Sequence, residues 1–264
     1  MTNVAPPART TSPGLGPKVL VFPDAERLVA SVATRLVTRL VDLQAEKGTA
    51  SLVLTGGRTG IGVLEQLRTS RFRDAIDWSN VDVFWGDERF VPVEHPDRNE
   101  RQAREALLDH LPLDPHRIRA MAPAGGRFGD DAEAAAAEYR GLLLARARAS
   151  PGAPLFDVCL LGVGEEGHVA SIFPDSPAVQ ESERLAVAVH GCPKPPPTRI
   201  SLTLPAVRRS SEVWLMTTGS AKAQAVASAL AGTHASALPA AGARGLDRTL
   251  WFLDTAAGAG LSGR

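Results

Sequence analysis

The chain carries no surplus of either charge: 29 Lys and Arg stand against 29 Asp and Glu over 264 residues. Nucleic-acid and anionic-membrane binders usually show a basic excess, so the balance argues against both classes while leaving room for a local cationic pocket. Only two cysteines occur, Cys159 and Cys192. Widely spaced, they make neither a zinc site nor a disulfide framework, and Cys159, inside an apolar run, reads as a small core residue. No apolar run approaches the ~18 residues needed to cross a bilayer. The segment Met1 to Pro17 is rich in Pro, Thr and Gly and has no apolar signal core. It reads as a disordered tail and predicts a cytoplasmic chain.

Catalytic signatures are missing too. There is no Gly-x-Ser-x-Gly elbow, which argues against a serine hydrolase. The six histidines show no His-Glu-x-x-His or similar spacing, so no metal is expected. No Gly-Lys-Ser/Thr follows a glycine loop, so there is no Walker motif.

What is present is an alternation of strand and helix signals. Val19–Phe22, Ser51–Leu54, Val81–Trp85, Phe156–Leu161, Leu185–Val189, Arg199–Leu204, Val213–Thr217 and Leu250–Leu253 read as short strands. Leu28, Val32, Leu36 and Leu40 repeat every four residues behind a capping Asp24, which predicts an amphipathic helix of about five turns. Further helices are expected near Gly60–Leu67, Arg98–Leu108, Asp130–Ala149 (capped by Asp130) and Ala221–Ala231. The pattern predicts an α/β fold: a Rossmann-like, mostly parallel sheet with helices on both faces. With no repeat and no linker, residues 18–256 read as one domain between tails at 1–17 and 257–264. Ligands of such sheets bind at the carboxyl ends of the strands, which directs attention to five loops.

The loop Thr55-Gly-Gly-Arg-Thr-Gly60 joins a strand to a helix. Glycines permit close backbone approach and helix N-termini attract anions, so Gly56, Gly57, Arg58 and Thr59 suit either a phosphate or a plain tight turn. In Trp85-Gly-Asp-Glu-Arg-Phe90, Asp87, Glu88 and Arg89 read as polar groups that orient sugar hydroxyls or a phosphate, or as a solvated charge run. The loop Leu161-Gly-Val-Gly-Glu-Glu-Gly-His168 matches a dinucleotide fingerprint only formally. Glu165 and Glu166 would repel a pyrophosphate, and Pro174 leaves little room for the required helix. What remains is an acid and a histidine at a central strand end, catalytic or structural. Arg199, after Pro195-Pro-Pro-Thr198, and Lys222, in Thr218-Gly-Ser-Ala-Lys222, are either a two-sided phosphate clamp or surface charges.

Together these loops resemble the 6-phosphogluconolactonase family, related in fold to glucosamine-6-phosphate deaminases, from about Lys18 to Asp254. The most specific stretches are Asp87-Glu-Arg-Phe-Val-Pro92 with His95, Asp97 and Asn99, and Gly162 to Pro174. Pro196 to Pro205 and Gly219 to Ala223 follow in order. The resemblance implies hydrolysis of a 6-phosphorylated gluconolactone without cofactor or metal, in the oxidative pentose phosphate pathway. It implies His168 as the group that activates water, with Glu166 as its acid and Arg89 and Asp87 as further catalytic-site residues. Gly56, Gly57, Arg58, Thr59, Arg199 and Lys222 are implied at the phosphate. Two departures stand out: Arg58-Thr59-Gly60 replaces the usual Ser-Thr-Pro, and Glu166 replaces an Asp. A small sugar-phosphate lactone is the expected partner, with no nucleic acid or membrane, on a monomer or weak homodimer. The alternatives are a glucosamine-6-phosphate isomerase–deaminase using Asp87 as base, and a non-catalytic sugar-phosphate sensor, for which no DNA-binding module is visible.

Overall fold

The computed structural model describes residues 16–261. Most of the expected N-terminal tail and the last three residues lie outside that range. Ten strands form two sheets. Seven of them make one wholly parallel sheet: β1 (Lys18–Phe22), β2 (Ala50–Leu54), β3 (Val81–Trp85), β5 (Ile118–Arg119), β6 (Phe156–Gly162), β9 (Ser210–Thr217) and β10 (Arg248–Asp254), in the order β1-β10-β9-β6-β2-β3-β5. Every residue of β2 and β9 is buried, as are the first six of β6. Such strands read as continuous apolar runs because both faces are covered.

The helices follow their capping chemistry. In α1 (Ala25–Lys47), Asp24 accepts a hydrogen bond from the Arg27 N–H, and Gly48, at φ 78°, closes the C-terminus. Leu28, Val32, Leu36 and Leu40 form its buried stripe. The helix α2 (Gly57–Thr69) starts three residues earlier than its apolar period suggests, because Gly57 takes φ 78° and lets the chain turn directly out of β2. Asn99–Ala106 forms α3, and Ala132–Ala149 forms α4. The cap of α4 is Asp131, which accepts from the Ala134 N–H, not Asp130. The expected Ala221–Ala231 helix is a 3₁₀ turn, Ser220–Lys222, followed by the helix Ala223–Leu230.

Two further expectations are corrected. The segment after Trp85 is not only a loop: Asp87–Arg89 is a short strand, β4. It pairs with β8 (Arg199–Leu202), which pairs with β7 (Ala186–Val189), in a separate antiparallel sheet. Residues 257–261, expected within a C-terminal tail, are built into the fold. Ala257 is fully buried, its N–H donates to Asp254 Oδ1, and Ala259–Leu261 forms a 3₁₀ turn.

The strand order places the site. From β2 the chain moves outward through β3 to β5; from β6 it moves the other way, through β9 to β10 and then β1 lies beyond. Connections therefore diverge above the carboxyl ends of the neighbours β2 and β6, and a crevice opens at that switch point.

Candidate active site

A cleft of about 280 Å³ sits over that crevice. The ten residues singled out in the sequence come together here: Gly56, Gly57, Arg58, Thr59, Asp87, Arg89, His168, Arg199 and Lys222 line it, and Glu166 stands behind His168.

One end is a helix N-terminus. Gly56 is the N-cap of α2 and supplies no side chain to the first-turn N–H groups, so these donors and the helix dipole face the cleft. A β-carbon on Gly56 would lie 2.0 Å from Asn99 Oδ1 and would displace that amide, and one on Gly60 would lie 2.4 Å from the Thr55 carbonyl, where backbone leaves no room for a side chain. Thr59 Oγ1 lies 3.3 Å from Thr218 Oγ1, tying α2 to the loop after β9. That loop is pinned by Asp254, whose carboxylate accepts from the Gly219 N–H at 3.1 and 3.0 Å. Lys222 projects from it. Burial is the main cause that pulls its ammonium below the ordinary lysine value; Glu165 opposes this and Lys194 and Arg58 reinforce it.

The other end carries the histidine. The loop after β6 turns back on itself through two backbone bonds, Gly164 N–H to His168 C=O at 2.9 Å and Gly167 N–H to Gly164 C=O at 3.0 Å. Gly167 takes φ 83°. The His168 ring lies against Gly164, where a β-carbon would stand 2.0 Å from Nδ1, and packs on Phe173 with centroids 4.4 Å apart and planes tilted by 33°. Glu166 Oε1 is 3.3 Å from Nδ1, close enough to orient the ring but off the line of a full hydrogen bond. Nδ1 therefore faces the acid, and Nε2 is the nitrogen left for a ligand. Burial holds the imidazole below its ordinary pKa, partly offset by Glu166. Burial pushes the Glu166 carboxyl up, but its backbone hydrogen bond, Lys194 and His168 outweigh that and leave it low.

A buried polar wall joins the two ends. Asp87 Oδ2 accepts from Ser171 Oγ at 2.6 Å and pairs with Arg199 Nη1 at 3.7 Å; the two residues are 6% and 5% exposed. The Arg199 donors are largely spent on carbonyls: Nε on Pro196 at 3.1 Å, Nη2 on Lys194 at 2.9 Å and Pro195 at 3.3 Å. Glu88 points away from the cleft. It accepts from the backbone N–H groups of Arg89, Asn99 and Glu100 at 2.7–2.8 Å, and so caps α3. Burial pushes its carboxyl up to about 7 against Arg98 and those donors. Arg89 donates to the Asp97 carbonyl at 2.6 Å and leaves Nε buried without a partner.

Sequence reasoning did not single out Lys194, Ser171 or Asp254 as site residues. Lys194 lines the cleft and pairs with Glu166 Oε2 at 3.0 Å; its only signal was a place beside the proline cluster. Ser171 lay inside a recognised stretch, and nothing local distinguished it. Among the described residues, no three His, Cys, Asp or Glu side chains gather as a metal-ligand set, and no helix is long and apolar enough to cross a membrane.

Comparison with known proteins identifies the family. The model of the family described as glucosamine-6-phosphate isomerases/6-phosphogluconolactonase matches residues 23–251. A 6-phosphogluconolactonase of Streptomyces coelicolor is 56% identical over 243 residues, spanning 91% of this chain and 93% of its own. The solved 6-phosphogluconolactonase of Trypanosoma brucei superposes with a TM-score of 0.79 at 25% identity, covering 94% of this chain and 100% of that one. A monomeric glucosamine-6-phosphate deaminase superposes at 0.74 with 20% identity, over 92% of this chain and 99% of that one; that likeness concerns the fold.

Proposed function

The chain belongs to the glucosamine-6-phosphate isomerase/6-phosphogluconolactonase family, and from that premise we propose that it hydrolyses 6-phospho-glucono-1,5-lactone to 6-phosphogluconate, with His168 as the general base. The observation that carries the mechanism is the pairing of a largely buried His168 with Glu166 in the same cleft as an uncapped helix N-terminus.

A δ-lactone is an activated ester, so the protein has three tasks. The phosphate is placed at the N-terminus of α2, on the backbone N–H groups after Gly56, with Arg58, Thr59 and Lys222 around it. The bound phosphate then fixes the lactone carbonyl at the histidine end, where orientation lowers the barrier. His168 Nε2 takes a proton from water, the water oxygen attacks the carbonyl carbon, and Glu166 stabilises the imidazolium through Nδ1–H. Collapse of the tetrahedral intermediate breaks the bond to the ring oxygen, which leaves with the proton that His168 returns. Arg89, at the cleft wall, is placed to stabilise the developing oxyanion.

Asp87 has a different part. With Oδ2 held by Ser171 and Arg199, it anchors the wall rather than serving as the base of an aminosugar isomerisation. Arg199, spent on the carbonyls of residues 194–196, holds that wall in place. Assays of the phosphorylated lactone and of glucosamine 6-phosphate side by side test the reading, with spontaneous lactone opening subtracted. Lactone hydrolysis that depends on His168 is the expected result; deamination that depends on Asp87 would overturn it.

A further inference from the structure

Lys194 has no part in the mechanism above, yet its ammonium touches the catalytic pair. Glu166 divides its carboxylate: Oε1 faces His168 Nδ1 at 3.3 Å and Oε2 faces Lys194 Nζ at 3.0 Å. We propose that Lys194 is a positioning residue for the reaction, pinning one oxygen of Glu166 so that the other stays on His168 and fixing the charge state in which the imidazole meets the substrate. The inference rests on the reading of His168 as the base.

The argument begins with Glu166 itself. A glutamate side chain has three rotatable bonds and is costly to hold in one rotamer. Its contact with Nδ1 alone is too poorly aligned to do so. A second, charged partner on the opposite oxygen fixes it. That partner is itself held by the fold. The Lys194 carbonyl accepts from Arg199 Nη2 at 2.9 Å, the next two carbonyls accept from the same guanidinium, and the Cys192 N–H closes the loop on the Pro197 carbonyl at 2.9 Å. Arg199 in turn is anchored on Asp87 and Ser171. A continuous chain of contacts thus runs from the buried wall through Arg199 and Lys194 to Glu166 and His168, and gives the Asp87–Arg199 pair a function in the chemistry.

The charges facing His168 are Glu166 from its own loop, Lys194 from the loop before β8, and Asp87 from β4, which Arg199 neutralises. Glu166 and Asp87 favour the imidazolium, and Lys194 opposes it. Removing the Lys194 charge takes away the cation that opposes the imidazolium, while Glu166, though no longer pinned, stays in the same loop as His168; the imidazole then holds its proton to higher pH and less free base is present near neutrality.

The test is the titration of the His168 imidazole by NMR, its signal identified by loss in His168→Gln, together with kcat/KM and KM against pH. Wild type, Lys194→Met and Lys194→Arg are compared. The Met variant should titrate higher by a few tenths of a unit to about one unit, a modest shift because Lys194 is half-exposed. The acid limb of kcat/KM should follow it, KM at the plateau should change less than about twofold, and Arg should restore both. An unmoved His168 titration in a folded Met variant overturns the proposal, since a merely structural lysine would lower stability and leave the titration alone. A titration that moves while the acid limb stays overturns it through its premise, by showing that His168 is not the base.

Discussion

The His168 ring occupies the space that a side chain at position 164 would need. Gly164→Ala places a methyl 2.0 Å from Nδ1, so the ring must swing off Glu166 and out of line with the substrate. The expected outcome is a kcat loss approaching that of His168→Gln, with KM for the phosphorylated lactone nearly unchanged because α2 is untouched; steady-state kinetics on the two variants check it. His168→Gln itself should lower kcat by about 10²–10⁴-fold, the usual worth of a general base. Glu166→Gln should cost less and Glu166→Asp least. Burial also sets the pH range. It favours the neutral imidazole, so the base stays deprotonated below the ordinary histidine value near 6.5 and is lost only as pH falls further. The acid limb of kcat/KM should therefore lie below that value. Unphosphorylated gluconolactone is the substrate to use, since a phosphate titrates near pH 6 itself. An acid limb above the ordinary histidine value would contradict the buried, desolvated base.

At the scale of elements, the antiparallel sheet organises the charged wall, and its carboxylates do structural work on both sides of one short strand. Asp87, opposite Ser201 in the β4–β8 register, meets Arg199 diagonally across the pair, while Glu88 caps α3 from the next position. Arg199→Ala would leave Asp87 buried without its cation and free three carbonyls in the 194–196 turn. Breaking such a pair typically costs about 3–5 kcal/mol, and denaturant unfolding should show a loss of that order along with lower activity. Glu88→Ala should cost a similar ~3–5 kcal/mol by stranding the first N–H groups of α3, while the folded fraction keeps its KM. The sequence reader meets this sheet only in part. Six of the seven strands of the parallel sheet carry apolar runs of four to six residues, and their buried faces show directly as hydrophobicity; β5, only Ile118–Arg119, is too short to read. β4 is three charged residues, so it offers no period-2 signal and reads as a loop; its burial comes from partners 84 and 112 positions away, Ser171 and Arg199. β7 and β8 are legible as strands, but nothing local says that they leave the main sheet. The α2 start is misplaced because a glycine with positive φ, not an apolar period, begins it. The site loops were legible because glycine and charge concentrate there; Lys194 was not, because its meaning lies in a contact with Glu166 28 residues earlier.

The whole molecule is electrically neutral, yet its cleft is not. Arg58, Arg89, Lys194, Arg199 and Lys222 line it, against Asp87 and Glu165; Arg199 is matched by Asp87, and Glu166 draws on Lys194 from behind. The strand order makes this possible, because the switch point between β2 and β6 gathers loops from four strands of the main sheet onto one crevice, and α2 adds its own N-terminal dipole. A dianionic phosphate is drawn to that end by a local field, and because the whole chain is neutral the remainder carries the compensating negative charge. Two consequences separate this field from ordinary shape recognition. Raising ionic strength from about 0.05 to 0.5 M shortens the screening length from roughly 14 to 4 Å, so kcat/KM for the phosphorylated lactone should fall severalfold while that for unphosphorylated gluconolactone stays nearly level. Lys222→Ala should raise KM for the phosphorylated substrate by about ten- to a hundredfold, the worth of a charge-assisted hydrogen bond of roughly 1.5–3 kcal/mol, and should also flatten the salt dependence, since part of the screened interaction is gone. The unphosphorylated lactone should respond to neither change. If both substrates weaken equally in the variant, Lys222 shapes the cleft rather than reading the phosphate, and the anion must be sought on Arg58 and the backbone N–H groups of α2 alone.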